Sequence, residues 1–165
     1  MIIRRNNPGN IRKDARWQWQ GERIGTNAGD FITFDTLENG YRAMMKDLIT
    51  KIKSGNDTIR KIIYKYAPSS DNNPTESYIR FVANSSGIDA DTVLVATNPK
   101  QIGDVAYSMS LFEHGTSDQD GTLQKSLIMA RNILFGIVQA VKENPLKTAI
   151  LVAVIGTMIY LYLQK

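Results

Sequence analysis

The sequence predicts a mainly helical α+β domain with a small β-hairpin, followed by an amphipathic helix and a membrane-spanning helix. Three observations carry this expectation. Apolar residues recur at helical spacing between positions 35 and 115, with capping signals at the segment ends. Aromatic, β-branched and glycine residues cluster between Trp17 and Phe34. From Leu146 to Leu163, only Lys147 is charged.

In chain order, Trp17, Trp19, Ile24, Phe31, Ile32 and Phe34, with Gly21, Gly25 and Gly29, suggest the hairpin. "DTLENGYRAMMKDLITKIKSG" opens with a capping-box pattern, Asp35 and Glu38, and stops at Ser54-Gly55. "NDTIRKIIYKYAP" is a shorter helix ended by Pro68. "NNPTESYIRFVANSSG" opens at Asn73, with Pro74 at the first helical position and Glu76 in the first turn. "TNPKQIGDVAYSMSLFEHG" repeats that grammar with Asn98, Pro99 and Gln101.

"TLQKSLIMARNILFGIVQAVKENP" places Leu127, Leu134, Val138 and Val141 on one side and is interrupted by Arg131 and Asn132. That pattern suits an interfacial helix; a hairpin of two packed helices is the alternative. Asn144-Pro145 breaks the helix before the apolar run restarts it. The 18 residues 146–163 reach about 27 Å as a helix, close to a hydrocarbon core of roughly 30 Å. Tyr160 and Tyr162 sit near one end, as interfacial anchors do. The expected organisation is a soluble domain over 1–120, an interfacial helix over 121–145 and a single-pass anchor over 146–165. Arg131, Lys142 and Lys147 precede the span and only Lys165 follows it, which directs the large domain to the cytoplasmic side.

The composition excludes several chemistries. There is no Cys, hence no disulfide framework or thiolate metal site, and a single His excludes a histidine-rich metal centre. No metal and no cofactor are expected. The formal charge of +4 suits an anionic partner such as nucleic acid, acidic lipid or a wall polymer. Arg4, Arg5, Arg12, Lys13 and Arg16 concentrate charge near the start, but no nucleic-acid-binding framework accompanies them. "MIIRRNNPGN" lacks the apolar stretch of a secretion signal.

Glu113 is the residue that points to chemistry. Ile102, Val105, Ala106, Met109 and Phe112 form one helical stripe. At about 100° per residue, Glu113 projects roughly 20° from Ile102, near the middle of that stripe. Apolar surroundings disfavour a charged carboxylate, and the negative end of a helix acts in the same direction. A carboxyl held protonated is the general acid that cleaving a glycosidic bond requires. Gly115 ends the helix and leaves room beside it. A helix ending in Glu without a catalytic role is the alternative.

Other acids have simpler explanations. Glu38 and Glu76 lie in helix first turns, where they complement the dipole. Glu22 sits in the expected hairpin as a solvated residue, and Glu143 precedes Pro145. His114 flanks Glu113, either contacting substrate or exposed at the surface.

The stretch "DTLENGYRAMMKDLITKIKSGNDTIRKIIYKYAP" resembles the helical segment of lytic transglycosylases of the soluble, goose-lysozyme-like kind. Asp35, Ala43, Gly55 and Asp57 match loosely, and Tyr66-Ala67-Pro68 stands where that family has a Tyr-Asn-Ala-Gly tetrad. "NNPTESYIRFV" resembles its Pro-x-Glu-Thr-x-x-Tyr-Val segment and puts Tyr78 at the tyrosine. "NNPGNIR", Asn6 to Arg12, resembles the glycine motif that follows the catalytic helix. "VAYSMSLFEHG" resembles the helix end that bears the catalytic glutamate, yet it comes last in this chain. The whole resembles a circularly permuted lysozyme-like domain of phage type over roughly residues 3–115.

The resemblance implies a muramidase or lytic transglycosylase acting on the β-1,4 linkage of peptidoglycan, with Glu113 as the acid. It implies substrate contacts from Tyr66, Tyr78, Asn6 and Asn10, to which His114 is added by its place beside Glu113; for each tyrosine a half-buried core role is the alternative. Such enzymes manage with one glutamate; Asp30 is the candidate second acid should one be needed. The implied partners are peptidoglycan glycan strands, a lipid bilayer in the virion or host inner membrane, and other virion proteins. A catalytically inactive, membrane-anchored virion protein on the same scaffold is the competing expectation.

Overall fold

The computed structural model describes residues 4–14, 18–25, 29–115 and 121–143. The apolar run 146–163, the Asn144-Pro145 break, Arg16 and Trp17 lie outside them. The described chain is mainly helical, as expected: α1 (Leu37–Lys53), α2 (Ile59–Tyr66), α3 (Thr75–Ser86), α4 (Pro99–His114) and α5 (Thr122–Glu143), with short 3-10 turns at Arg4–Asn6 and Ser69–Asp71. Two compact units divide it, residues 1–131 and 132–165. Of the second, the described part is the continuation of α5, where Ile133 is exposed. No helix among the described residues is long and apolar enough to cross a membrane.

Helix boundaries follow local chemistry, with two shifts. α1 is capped by Thr36, whose hydroxyl accepts the Asn39 amide at 3.2 Å. Asp35 was the expected cap; its carboxylate instead accepts the Thr36 amide at 2.7 Å and the Asn39 side chain at 2.8 Å. Adjacent Asp and Thr both cap well, and sequence spacing does not separate them. Pro74 is the N-cap of α3 and makes no side-chain capping bond, one position earlier than its expected place inside the helix. Asn98 caps α4 through the Lys100 and Gln101 amides, with Pro99 first in the helix, and Gly115 ends it in the left-handed conformation.

α4 is the central helix, packed against α1 and α3. Ile102, Gly103, Val105, Ala106, Ser108, Met109 and Ser110 are all buried, so its buried surface is wider than the expected stripe. Tyr41 of α1 and Ser110 share a buried hydrogen bond of 2.7 Å. Phe112 stacks on Tyr78 with ring centroids 4.0 Å apart. The first turns of α5 belong to the same unit. Leu123, Leu127 and Ala130 are buried, and the Ser126 hydroxyl donates to Glu38 at 3.1 Å. A β-carbon on Gly103 would stand 3.3 Å from Cδ of Arg131, so the aliphatic stem of that arginine lies across α4.

The expected hairpin is reduced to isolated antiparallel bridges, Arg12 with Phe31 and Glu22 with Phe34, and no extended strand forms among the described residues. Gly21, Gly25 and Gly29 all take positive φ and turn the chain instead of extending it. Glu22, expected as solvated, is half-buried and accepts the Trp19 amide at 3.1 Å. Ile32 and Phe34 pack with Ala43 of α1, and Ile11 and Trp19 cover them.

Candidate active site

Residues 5–10 form a tight loop in which Arg5, Asn6 and Asn10 all have left-handed φ. Such conformations are costly outside glycine and persist where surrounding contacts determine them. Asn7 supplies the main tie. Buried, it donates to the carbonyls of Ile11 and Ile32, both at 2.9 Å, and accepts the Ile11 amide at 2.9 Å. Asn6 donates to the carbonyls of Phe34 and Asp35 at 3.2 and 3.1 Å.

The loop crosses α1 at Gly40, where a β-carbon would stand 1.9 Å from the Asn6 carbonyl oxygen and 2.7 Å from Cδ of Pro8. Only glycine permits that approach.

The loop delivers Asn10 to Glu113. Its side-chain amide donates to Oε2 of the glutamate at 2.7 Å. Glu113 is half-buried in the last turn of α4. Two tyrosines complete its surroundings. Tyr78, buried on α3, donates weakly to the Met109 carbonyl at 3.4 Å. Burial first, then the nearby Glu113 charge, hold its hydroxyl well above the usual phenol range. Tyr66, the last residue of α2, has a buried hydroxyl with no hydrogen-bond partner. It too is held well above that range, by burial and then by Glu113. Both phenols therefore remain protonated donors at neutral pH.

Gly9 packs directly against Tyr66 and Met44: a β-carbon there would sit 2.8 Å from the tyrosine hydroxyl and 3.0 Å from the Met44 side chain. His114 lies beneath the loop, half-buried, with a buried Nε2 that has no partner. Burial lowers its pKa, against a smaller upward pull from the Asn7 backbone, Glu113 and the Pro8 backbone. It stays neutral and supports the loop.

Glu113, Asn10, Tyr66, Tyr78 and His114 thus come together at the junction of the loop with the ends of α2 and α4 and the face of α3. Asn6 is engaged by Phe34 and Asp35. Asp30 is exposed and pairs with Arg12 at 3.3 Å. Asn7 and Gly9 lie inside the "NNPGNIR" motif but receive no role of their own from it, and Gly40 escaped the sequence reading. A glycine inside the helical pattern of α1 was the available signal, since it marks close backbone approach. The cluster offers one carboxylate positioned by an amide and faced by two neutral hydroxyls, with no metal-binding group of acids or His among the described residues.

No protein-family model matches the chain. Protein P5 of Pseudoalteromonas phage PM2 is 42% identical to it over 89 residues, which cover 52% of this chain and 55% of that protein. The chain therefore spans about half the length of the curated relative it matches. The similarity agrees with the phage setting implied by the sequence motifs, and it lends the lysozyme-like resemblance no support.

Proposed function

We propose that the domain cleaves the glycan strand of peptidoglycan, with Glu113 acting first as general acid on the glycosidic oxygen and then as base. The observation that carries the reading is the convergence of Asn10, Tyr66 and Tyr78 on this single half-buried carboxylate. Asn10 fixes the carboxyl orientation through Oε2. The Tyr66 hydroxyl is buried against Gly9 with no hydrogen-bond partner, a donor left unused by the fold beside the carboxylate. A single acid suffices when the substrate or a water supplies the nucleophile. Protonation by a positioned acid typically contributes about 10²–10⁴-fold.

The test is a turbidity or zymogram assay of the full chain beside Glu113→Gln and Glu38→Gln, with mass analysis of the products. Glu113→Gln abolishes turnover with the fold intact. Glu38→Gln weakens a contact with Ser126 and leaves activity standing. An anhydro sugar end identifies a lytic transglycosylase, and a reducing end a muramidase. Equal activity in the parent and Glu113→Gln removes this residue from the mechanism. A folded but inactive parent supports the non-enzymatic virion protein.

The reading includes membrane attachment through the apolar run 146–163, with the large domain on the cytoplasmic side in a virion or host membrane. Exposed Ile128 and Met129 on α5 are consistent with an interfacial helix. Sedimentation with membranes tests it: full chain recovered in the supernatant contradicts attachment.

A further inference from the structure

Arg5 and Arg12 gather at one aromatic ring. Their guanidinium carbons lie 5.9 and 5.2 Å from the centroid of Phe31. Backbone hydrogen bonds tie their segments to the one that carries Phe31. The Arg5 carbonyl accepts the Phe34 amide at 2.8 Å, the Ile11 carbonyl accepts the Ile32 amide at 3.0 Å, and Lys13 donates its amide to Asp30 at 2.7 Å.

Two features of this arrangement are unexplained by folding alone. Arg5 occupies a left-handed conformation, φ 63° and ψ 15°, that glycine or asparagine adopts more readily. Further, two like charges share one ring with a single exposed carboxylate, Asp30, which reaches Arg12 alone. Arg5 has no acidic partner among the described residues. Planar guanidiniums pair with carboxylates through parallel hydrogen bonds, and an aromatic face beside them adds cation–π attraction.

We propose that Arg5, Arg12 and Phe31 form a carboxylate-binding subsite that engages the stem-peptide carboxylates of the glycan strand; this rests on the reading of Glu113 as a glycan-cleaving acid. Continuity supports it. The chain runs directly from Arg5 through the loop to Asn10, which holds Glu113, and five residues span no more than about 18 Å. The backbone of Arg5 therefore lies within a few sugar lengths of Asn10, and Arg12 is two residues from it. Phosphate would satisfy the same donors, but the strand proposed as substrate for Glu113 carries carboxylates on its peptides.

The test measures retention of the full chain, in detergent and carrying Glu113→Gln so that the wall is not consumed, on purified sacculi. The same chain is tested on sacculi whose stem peptides have been removed by an amidase. The variants are Arg5→Gly, suited to the left-handed backbone, and Arg12→Gln. Exposed ion pairs are individually weak, so the double variant should lose about two- to tenfold in retention on intact sacculi. Peptide-free glycan should hold the parent and the double variant equally and weakly. Thermal unfolding checks the fold; if the double variant unfolds early, Arg12→Gln alone carries the comparison, its side chain being exposed.

Equal retention of parent and variant on intact sacculi overturns the proposal. So does undiminished parent binding after peptide removal. A loss confined to duplex DNA or phosphatidylglycerol vesicles overturns it as well and assigns the arginines to phosphate. Arginine-dependent wall binding without any Glu113-dependent cleavage leaves the subsite standing and removes the enzymatic reading.

Discussion

The Asn6 carbonyl oxygen lies against the α-carbon of Gly40, close enough that a β-carbon there would stand 1.9 Å away. The approach joins the loop that carries Asn10 to the helix that carries Tyr41 and Met44. Gly40→Ala forces backbone apart from backbone, and neither side is a flexible side-chain tip. Overpacking of this kind costs about 3 kcal/mol. Chemical denaturation should show that loss, and peptidoglycan turnover should fall as Asn10 moves away from Glu113.

Tyr66→Phe separates stability from function. Removing a buried hydroxyl that has no partner relieves a desolvation penalty typically of about 1–3 kcal/mol, so the melting temperature should hold or rise. Turnover should fall if the hydroxyl serves the substrate. A variant that is both stable and fully active confines Tyr66 to packing.

Asn10→Gly keeps the left-handed backbone, φ 47°, and removes the amide that donates to Glu113. Stability should fall by no more than about 1.5–3 kcal/mol, the usual scale of a hydrogen bond to a charged group. Catalysis should drop by a larger factor, because the carboxyl loses the group that orients it. Steady-state kinetics on purified wall, set beside unfolding curves, separate the two effects.

His114 makes stability dependent on pH. Its pKa in the folded chain is lowered from 6.5, so the unfolded chain takes up the proton first as pH falls. The stabilisation is complete above the unfolded value and is lost progressively below about 6.5. Unfolding free energy measured across the mildly acidic range should decline, and His114→Gln should flatten that decline.

The helices were legible because their punctuation is local. Asn98, Pro99 and Gly115 fix α4 within a few residues of chain, and the period of the helix is enough to turn Glu113 inward. Thr36 against Asp35 was not resolvable, since either residue caps. The hairpin failed for a physical reason: three glycines at positive φ satisfy a turning chain as well as they punctuate strands. In the site, Glu113 was visible from periodicity, whereas its hydrogen bond to Asn10 spans 103 residues. No local pattern encodes a contact at that separation. Nothing local marks Asn7 as a buried tie, and only the folded loop reveals it as one.

That separation sets how the site can be lost. Residues 5–10 are held by a few side-chain bonds from Asn6 and Asn7 and by their approach to Gly40, while the helices have their own core. Opening the loop therefore dismantles the constellation around Glu113 at a free energy below that of global unfolding. The amides of Ile11 and Phe34, bonded respectively to the Asn7 side chain and the Arg5 carbonyl, should exchange with solvent faster than those in the middle of α4. Inactivation in mild denaturant should accordingly precede the loss of helical signal.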